Sequence, residues 1–415
     1  MQLKFKTSIY YLLGGIAVLV YLLIAANRQG DLFIYESGSS DIFAGKDAYL
    51  ISYVDGFHYY YSTLFAILIY PFLFLPVYLG ALLWLGLNAF LLYRIVILIS
   101  RYFNLSILTQ KECLFFFICS FLFGLRFILS NFHNQQITIF ILYLILEGLR
   151  FIFSGNKLAG AVLIALGINI KLLPIILLPY LIYRREFKAS FFVLVFYIAM
   201  LFLPGFILGF AQNNMLISSW WKLINPFNTI HNLDVDERSF HSLSTLLATL
   251  LVETVPDKFA LHIRRNIMDI SYEHLVLVLN ITRLILISFA LYFIRTKPFV
   301  TNNSTMHRFV EISYLLLLVP LVFPHQQDYA FLFAMPAVSF IIYYLITERK
   351  TMSDSKFRIV TAFMILSYLL CNLNLLLGQY REYYDHFKIL TYGVLLIIPL
   401  LAVCYPFKKS ISEFH

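Results

Sequence analysis

The chain has 415 residues, of which 61% are hydrophobic and only 13% are charged. Soluble domains carry about 25% charged residues, so this composition excludes a soluble globular protein and predicts one integral membrane domain over residues 1–415. The formal net charge is +9, but the basic residues lie mainly in short loops at the ends of apolar runs. The positive-inside rule explains that placement, so we predict membrane lipids, and no nucleic acid, as partners.

Apolar runs of about 20 residues, the length that a membrane-spanning helix needs, recur along the chain. They predict an all-α polytopic membrane protein of about 12 transmembrane helices, with a core at about 8–210 and further spans within 275–405. The predicted spans are about 8–26, 61–77, 78–100, 112–130, 137–153, 158–183, 190–210, 275–294, 309–323, 330–346, 357–378 and 389–405. The first run lacks a small-residue cleavage site, so we interpret it as a retained span.

Lys4 and Lys6 place the N-terminus in the cytoplasm. Alternation then places the polar stretches 27–60, 211–274, 324–328 and 379–388 outside, and 184–188, 295–308, 347–356 and the C-terminus inside. The strongest basic loops fall inside, but the loop 101–111 falls outside, so the parity of the second to sixth spans stays open. The acidic and aromatic stretch 31–47 predicts short helices on the membrane surface.

Asp31 is the first candidate for chemistry, because it directly follows the first span. A carboxylate at the outer mouth of the membrane is partly desolvated, which raises its pKa and its strength as a base. The alternative is a solvated loop carboxylate without a catalytic role. We assign that plain role to Glu36 and Asp41 in the same stretch.

Lys171 lies in the middle of a predicted span, where a charge costs about 3 kcal/mol or more on insertion scales. An anionic lipid phosphate is one partner that would offset this cost, and snorkelling or a carboxylate elsewhere is the alternative. Arg126 and Arg94 also lie within apolar runs. Either is a candidate for bidentate phosphate binding, and either is equally explained as the end of a helix.

Two polar segments follow apolar runs. The first contains His133 and Gln136, and the second contains His325 and Asp328. Both are rich in hydrogen-bonding side chains, and the second has the same predicted sidedness as Asp31. The alternative for each is an ordinary polar turn between spans.

Several common site motifs are absent from the sequence. It has no Gly-rich phosphate loop, no nucleotide-binding fingerprint and no His/Cys metal cluster, and its four cysteines lie in or near apolar runs. We therefore predict no metal and no cofactor. An ATP-driven pump and a nucleotide-sugar enzyme are both disfavoured, so an activated group would come from a lipid-linked donor.

The order and spacing of four segments resemble a known family. Asp31 is followed by Tyr35; Tyr61 precedes a proline-rich stretch and a tryptophan; Gln136 follows; and Lys171-Leu172-Leu173-Pro174 precedes Arg184-Arg185. Together these segments resemble glycosyltransferase family 87, the polyprenyl-phosphate-mannose-dependent α-mannosyltransferase-like proteins with a GT-C type of membrane fold. The resemblance runs from Gly30 to about Phe187, with weaker similarity to about Pro336.

The chain departs from the family pattern at several positions. Ser62 and Thr63 stand where the family usually has two prolines, and Gln136 alone matches a Gly-Gln-x-Asn segment. In the later polar segment His325 is displaced, and Asp328 stands where a histidine is common. The Lys171 segment is the closest match.

The resemblance implies a hexosyltransferase that transfers a sugar, mannose in the family, from a polyprenyl-phosphate donor to a glycan or glycolipid acceptor with inversion. Asp31 would be the catalytic base in this reading. A cation, Lys171 or Arg126, would neutralise the departing phosphate, and both are predicted to bind substrate. The remaining residues predicted to bind substrate are Tyr35, Tyr61, Gln136, His325 and Asp328, and Trp220 and Trp221 would frame the acceptor.

The same resemblance implies a cell-envelope enzyme of the plasma (inner) membrane whose active site faces the external side. Two alternatives from other classes stay open at this point. One is a transporter or flippase of polyprenyl-linked glycans, and the other is a polymerase or ligase of such glycans. Both would also need intramembrane cations and a polar cavity.

Overall fold

A computed structural model describes residues 2–225, 240–253, 261–294, 297–300 and 304–405, except for the side chains of 2–13 and 55. Within these ranges the protein is helical and has no β-strand, which confirms the all-α prediction. The helices before residue 226 are Gln2–Ala25 (α1), Asp31–Phe43 (α2), Thr63–Ile69 (α3), Val77–Ser100 (α4), Gln110–His133 (α5), Thr138–Phe153 (α6), Lys157–Ile170 (α7), Leu177–Tyr183 (α8), Phe187–Phe202 (α9), Gly205–Leu208 (α10) and Phe210–Ile224 (α11).

Eight further helices follow residue 240 within the described ranges. They are Leu243–Leu251 (α12), Tyr272–Ile294 (α13), Thr305–Val322 (α14), Met335–Thr347 (α15), Asp354–Asn372 (α16), Arg381–His386 (α17), Ile389–Leu395 (α18) and Ile397–Val403 (α19). Short 3₁₀ helices lie at Val54–Gly56, Tyr70–Phe74, Leu105–Ile107, Leu173–Ile176, Asp328–Ala334, Leu373–Leu375 and Gly378–Tyr380.

Among the described helices, seven are long and apolar enough to cross a membrane. The number rises to eight if the bent pair Gly378–His386 and Ile389–Val403, which meet at 67°, forms one span. The protein is therefore a multi-pass membrane protein, whereas the count of about 12 spans and the GT-C arrangement stay predictions. The stretch 379–388, which we predicted to be a loop, is instead largely helical.

Prolines explain where two predicted spans are interrupted. The span expected at 61–77 is the short helix α3 followed by the 3₁₀ helix Tyr70–Phe74, which contains Pro71. Proline lacks the N–H donor of a helical ladder and clashes with the preceding turn. The span expected at 158–183 is likewise divided into α7 and α8, because the chain becomes extended at Lys171 and Pro174 follows in a 3₁₀ turn. Its two ends lie together, since Lys157 forms a 2.6 Å ion pair with Glu186, so the prediction that this segment crosses the membrane once is wrong.

The burial of individual spans distinguishes the centre of the protein from its periphery. Thr305–Val322 and Asp328–Thr347 are 78% and 72% buried, whereas Phe187–Leu208 and Tyr272–Ile294 are each only 17% buried. An apolar helix that is mostly exposed is suited to contact lipid. The predicted external region 211–274 holds α11 and α12, and its parts 226–239 and 254–260 lie outside the described residues.

Helices α6 and α7 pack backbone to backbone through two glycines. A Cβ atom added at Gly160 would collide with the carbonyl oxygen of Gly148 and lie 2.9 Å from the backbone nitrogen of Ile152. A Cβ atom added at Gly148 would lie 3.0 Å from the carbonyl oxygen of Gly160. Small residues at such crossings let helices in membranes approach closely, so this contact sets the position of α7.

We expect Gly160→Ala to lower the thermal unfolding midpoint, because a methyl group at this crossing forces the two backbones apart at a cost of about 1–3 kcal/mol. The matched control is Gly86→Ala in α4, where an added Cβ meets nothing within 4 Å. Thermal unfolding of both purified variants in the same detergent measures the difference. Equal midpoints for the two variants would contradict the close α6–α7 contact.

Candidate active site

Asp31 is the first residue of α2, and the turn after α5 packs directly against it. The backbone N–H of Asp31 donates to the carbonyl oxygen of Asn134 at 2.9 Å. Gly30 permits this approach, since a Cβ atom there would lie 2.9 Å from the Asn134 carbonyl group. Asp31 is a partly exposed residue, although most of its carboxyl group is buried.

The turn that holds Asp31 is itself fixed by side-chain hydrogen bonds. Gln135 has a positive φ of 51°, and its side-chain amide donates to the carbonyl oxygen of Arg28 at 2.9 Å. The indole N–H of Trp84 donates to the carbonyl oxygen of Gln135 at 2.8 Å. Helices α2, α4 and α5 are thereby joined at one point.

The environment of the Asp31 carboxylate sets its basicity. Burial raises the pKa of Asp31 to about 6, while the amide hydrogen bond from Gln136 and the positive charge of Lys171 oppose this rise. A carboxylate with a pKa near 6 is ionised at neutral pH and is a stronger base than a free aspartate. The pKa of Asp31 therefore depends on both Gln136 and Lys171.

Tyr35 and Tyr61 lie beneath Asp31 in an aromatic cluster. Tyr35 is one helical turn after Asp31, which places both on the same face of α2. Its ring meets Tyr61 edge-on with centroids 4.7 Å apart, and the two hydroxyl oxygens are 3.2 Å apart. Because both tyrosines are buried, the geometry is that of support for α2, and their direct contact with substrate stays a prediction.

Lys171 lies at the break between α7 and α8, in an extended conformation. Its ammonium nitrogen is 5.9 Å from the centroid of the Tyr329 ring. Within the described part of the chain this ammonium makes no salt bridge. A cation held near a carboxylate without a direct ion pair is available to an anionic ligand.

Tyr329 connects the surroundings of Lys171 to α5. The side-chain amide of Asn131 donates both to the carbonyl oxygen of Phe127 at 2.7 Å and to that of Tyr329 at 2.9 Å. Asn131 is buried in α5 five residues before Gln136. The end of α5 thus supports both the Asp31 side and the Lys171 side of the candidate site.

The structure brings Arg126 and Asp328 into contact with each other and with further protein groups. The guanidinium of Arg126 is 3.3 Å from the Asp328 carboxylate and donates to the Tyr384 hydroxyl at 2.7 Å. Asp328 also accepts a hydrogen bond from Ser130, and Asp385 lies 4.0 Å from Arg126. Since these groups already have protein partners, the substrate-binding roles of Arg126 and Asp328 stay predictions.

His325 and Trp220 each pack against another segment of the protein. The His325 ring stacks on Phe240 with centroids 5.1 Å apart, against the segment that precedes α12. Trp220 is buried, and its indole N–H donates to the carbonyl oxygen of Tyr60. Trp221 is half exposed, so of the two tryptophans only this one presents a ring at the surface.

Ser62 and Thr63, which replace the two prolines of the family pattern, each make a buried hydrogen bond. The Ser62 hydroxyl donates to the side-chain oxygen of Asn169 at 2.7 Å, and the Thr63 hydroxyl donates to that of Asn213 at 3.0 Å. Asn169 precedes Lys171 by two residues, so Ser62 ties α3 to the end of α7. Sequence reasoning noted the departure at both positions but missed these partners.

Metal binding finds no support in the part of the chain that the structure describes. In those residues no group of three or more His, Cys, Asp or Glu side chains has the geometry to hold an ion.

A comparison with protein-family models adds independent information. The model described as glycosyltransferase family 87 matches residues 59–324, which is more than half of the chain. The chain belongs to glycosyltransferase family 87. It is thus a membrane glycosyltransferase of the hexosyltransferase type. Searches of curated proteins and of solved structures found no match.

The family 87 match covers part of the candidate site. Gln136 and Lys171 lie inside the matched range, whereas Asp31 precedes it and Asp328 follows it. The structure shows that Asp31, which lies outside the matched segment, accepts a hydrogen bond from Gln136 inside it.

We expect Arg126→Met to lower the free energy of unfolding by about 3–5 kcal/mol, because it leaves buried carboxylates without their cation. The matched control is Arg349→Met, which breaks the 3.1 Å pair of Arg349 with Asp354 at an exposed position and costs about 0–1 kcal/mol. Chemical unfolding in detergent measures both. An Arg126→Met variant as stable as the wild type would show that Arg126 is not needed for folding and would favour a role in substrate binding.

Proposed function

We propose that this family 87 member transfers a sugar from a polyprenyl-phosphate donor to a hydroxyl group of a glycan or glycolipid, with inversion at the anomeric carbon. Mannose is the proposed donor sugar, by resemblance to the family pattern. The proposed location is the plasma (inner) membrane, with the reaction on its external side. The observation that carries the proposal is that the Asp31 carboxylate accepts a hydrogen bond from Gln136, a residue of the segment that the family model matches. The nearby charge of Lys171 supports it.

Asp31 has the properties of the base that this reaction needs. Its carboxylate removes the proton of the acceptor hydroxyl as the oxygen attacks the anomeric carbon. A new carbon–oxygen bond forms on one face, the bond to the phosphate oxygen breaks on the opposite face, and the configuration inverts. The pKa of about 6 supports this role, since the carboxylate is ionised at neutral pH but is still basic.

Lys171 has the properties of a phosphate partner. The polyprenyl phosphate departs as an anion, and an ammonium group that is already held near the site neutralises this charge without reorganisation. Polyprenyl phosphate is a good leaving group, so no strong general acid is required. Exposed apolar helices such as α9 support delivery of the donor by its lipid tail.

The direct test measures binding and transfer separately in two variants of the purified protein. We expect Asp31→Asn to retain binding of polyprenyl-phosphate-mannose but to lose at least about a hundredfold in transfer, since a positioned base contributes about that much. We expect Lys171→Gln to weaken donor binding as well as transfer, because the phosphate loses its cation. Binding is followed with a labelled donor and transfer by release of polyprenyl phosphate.

Matched donors and a transport assay separate the remaining possibilities. Glucose and arabinose analogues on the same lipid phosphate show which sugar is consumed. Normal transfer by Asp31→Asn would remove the catalytic assignment. Movement of intact labelled lipid-linked sugar across liposomes, with no glycosidic bond broken, would favour a flippase over a transferase.

We expect kcat/KM for transfer to fall by about tenfold per pH unit below about pH 6, because Asp31 must be deprotonated to act. Gln136→Ala removes a hydrogen bond that lowers the pKa of Asp31, so the acidic limb of the pH profile moves to higher pH. The control is Gln212→Ala, which removes a 2.8 Å hydrogen bond to the carbonyl oxygen of Ile42 near the opposite end of α2. Superimposable profiles for Gln136→Ala and the wild type would refute the coupling.

A further inference from the structure

An open groove lies where α7 and α9 begin, apart from the candidate active site. Its volume is about 720 Å³, within the range of about 300–1,000 Å³ typical of small-molecule sites. We call it the α7–α9 groove and define it by six of its lining residues, which are Asn156, Lys157, Leu158, Arg185, Phe187 and Lys188. We propose that it binds the headgroup of an anionic phospholipid.

The charges of the groove are unbalanced. Lys157, Arg185 and Lys188 contribute three positive charges, and Glu186 offsets one of them through a 2.6 Å ion pair with Lys157. Arg185 and Lys188 are exposed, and in the described ranges neither has a salt bridge. The neighbouring Arg184 does not share this availability, since it is buried in an ion pair with Glu311.

The position of these cations at two helix N-termini increases the need for an anion. Lys157 is the first residue of α7, whose first turn has no acidic residue. Lys188 is the second residue of α9, whose acidic N-cap residue Glu186 is paired with Lys157. The N-terminus of a helix carries partial positive charge, so a cation there is unfavourable and an anion is favourable. A phosphate group in the groove would pair with the Arg185 and Lys188 side chains and would add negative charge near the two helix ends.

The apolar rim of the groove distinguishes a lipid from free phosphate. Leu158, Phe187 and Phe191 are 54%, 47% and 63% exposed. They continue into the exposed face of α9, the helix whose span is only 17% buried. A ligand with an anionic headgroup and acyl chains would occupy the charged and apolar surfaces at once. The basic residues of the groove favour the cytoplasmic side by the positive-inside rule, and anionic lipids of that leaflet attract basic segments.

The test compares ligands on the delipidated full-length protein in neutral detergent. We expect phosphatidylglycerol to raise the thermal unfolding midpoint saturably, and phosphatidylcholine and inorganic phosphate at equal concentration to do so much less. Native mass spectrometry counts the lipid molecules that stay bound. An equal effect of phosphatidylcholine, or an effect of phosphate as large as that of phosphatidylglycerol, would overturn the proposal.

A pair of double variants assigns the effect to the groove. We expect Arg185→Asn with Lys188→Gln to weaken phosphatidylglycerol binding by about tenfold or more, since each basic contact near a membrane surface contributes to anionic lipid binding. Asparagine replaces Arg185 because this position has a positive φ of 60°, which asparagine tolerates better than most residues. The control, Lys111→Gln with Lys350→Gln, removes two exposed charges elsewhere.

Both double variants should unfold at the wild-type midpoint without lipid and should retain sugar transfer, which shows that they are folded. Equal loss of binding in the two double variants would mean that general surface charge, and not the groove, attracts the lipid. If the groove variant unfolds early, the single charge reversal Lys188→Glu replaces it, with Lys350→Glu as its control. Full lipid binding by Lys188→Glu would overturn the proposal.

Discussion

The carboxylate of Asp31 is the group on which the arrangement of the surrounding helices depends. An ionised carboxyl group is costly to bury, and the cost is met here by an amide hydrogen bond from Gln136 and by the charge of Lys171. These partners come from two other regions of the chain, the turn after α5 and the break after α7. Three distant segments must therefore meet before the carboxylate can be both buried and charged.

A second buried charge is handled differently. Arg126 is surrounded by Asp328, Tyr384 and the carbonyl oxygen of Cys371. These groups accept three hydrogen bonds from the guanidinium, which joins α5 to the C-terminal helices. Lys171, in contrast, has an aromatic ring and a carboxylate in its neighbourhood but no direct ion pair among the described residues. Both cations lie within apolar runs of the sequence, and only their contacts in the folded protein show that their roles differ.

Much of the fold class and part of the candidate site follow from the sequence. Apolar length predicts an all-helical membrane protein, and the cost of an intramembrane cation singles out Lys171. Local sequence does not reveal that Gln136 would be the hydrogen-bond partner of Asp31, because the two are 105 positions apart. The partners of Arg126 are missed for the same reason. The predicted span boundaries are least accurate near Pro71 and Pro174, because these prolines interrupt helices that hydropathy alone predicts to be continuous.

The hydrogen bonds at the turn 134–136 have a consequence for the energetics of the reaction. The backbone N–H of Asp31 is hydrogen-bonded to Asn134. The next residue after Asn134, Gln135, is hydrogen-bonded to Arg28 and Trp84. Asp31 and its amide partner Gln136 therefore belong to one unit whose conformational entropy is already lost on folding. Under the proposed function, an acceptor beside Asp31 would meet a carboxylate in a fixed orientation, so little of its binding energy would be spent on ordering the enzyme.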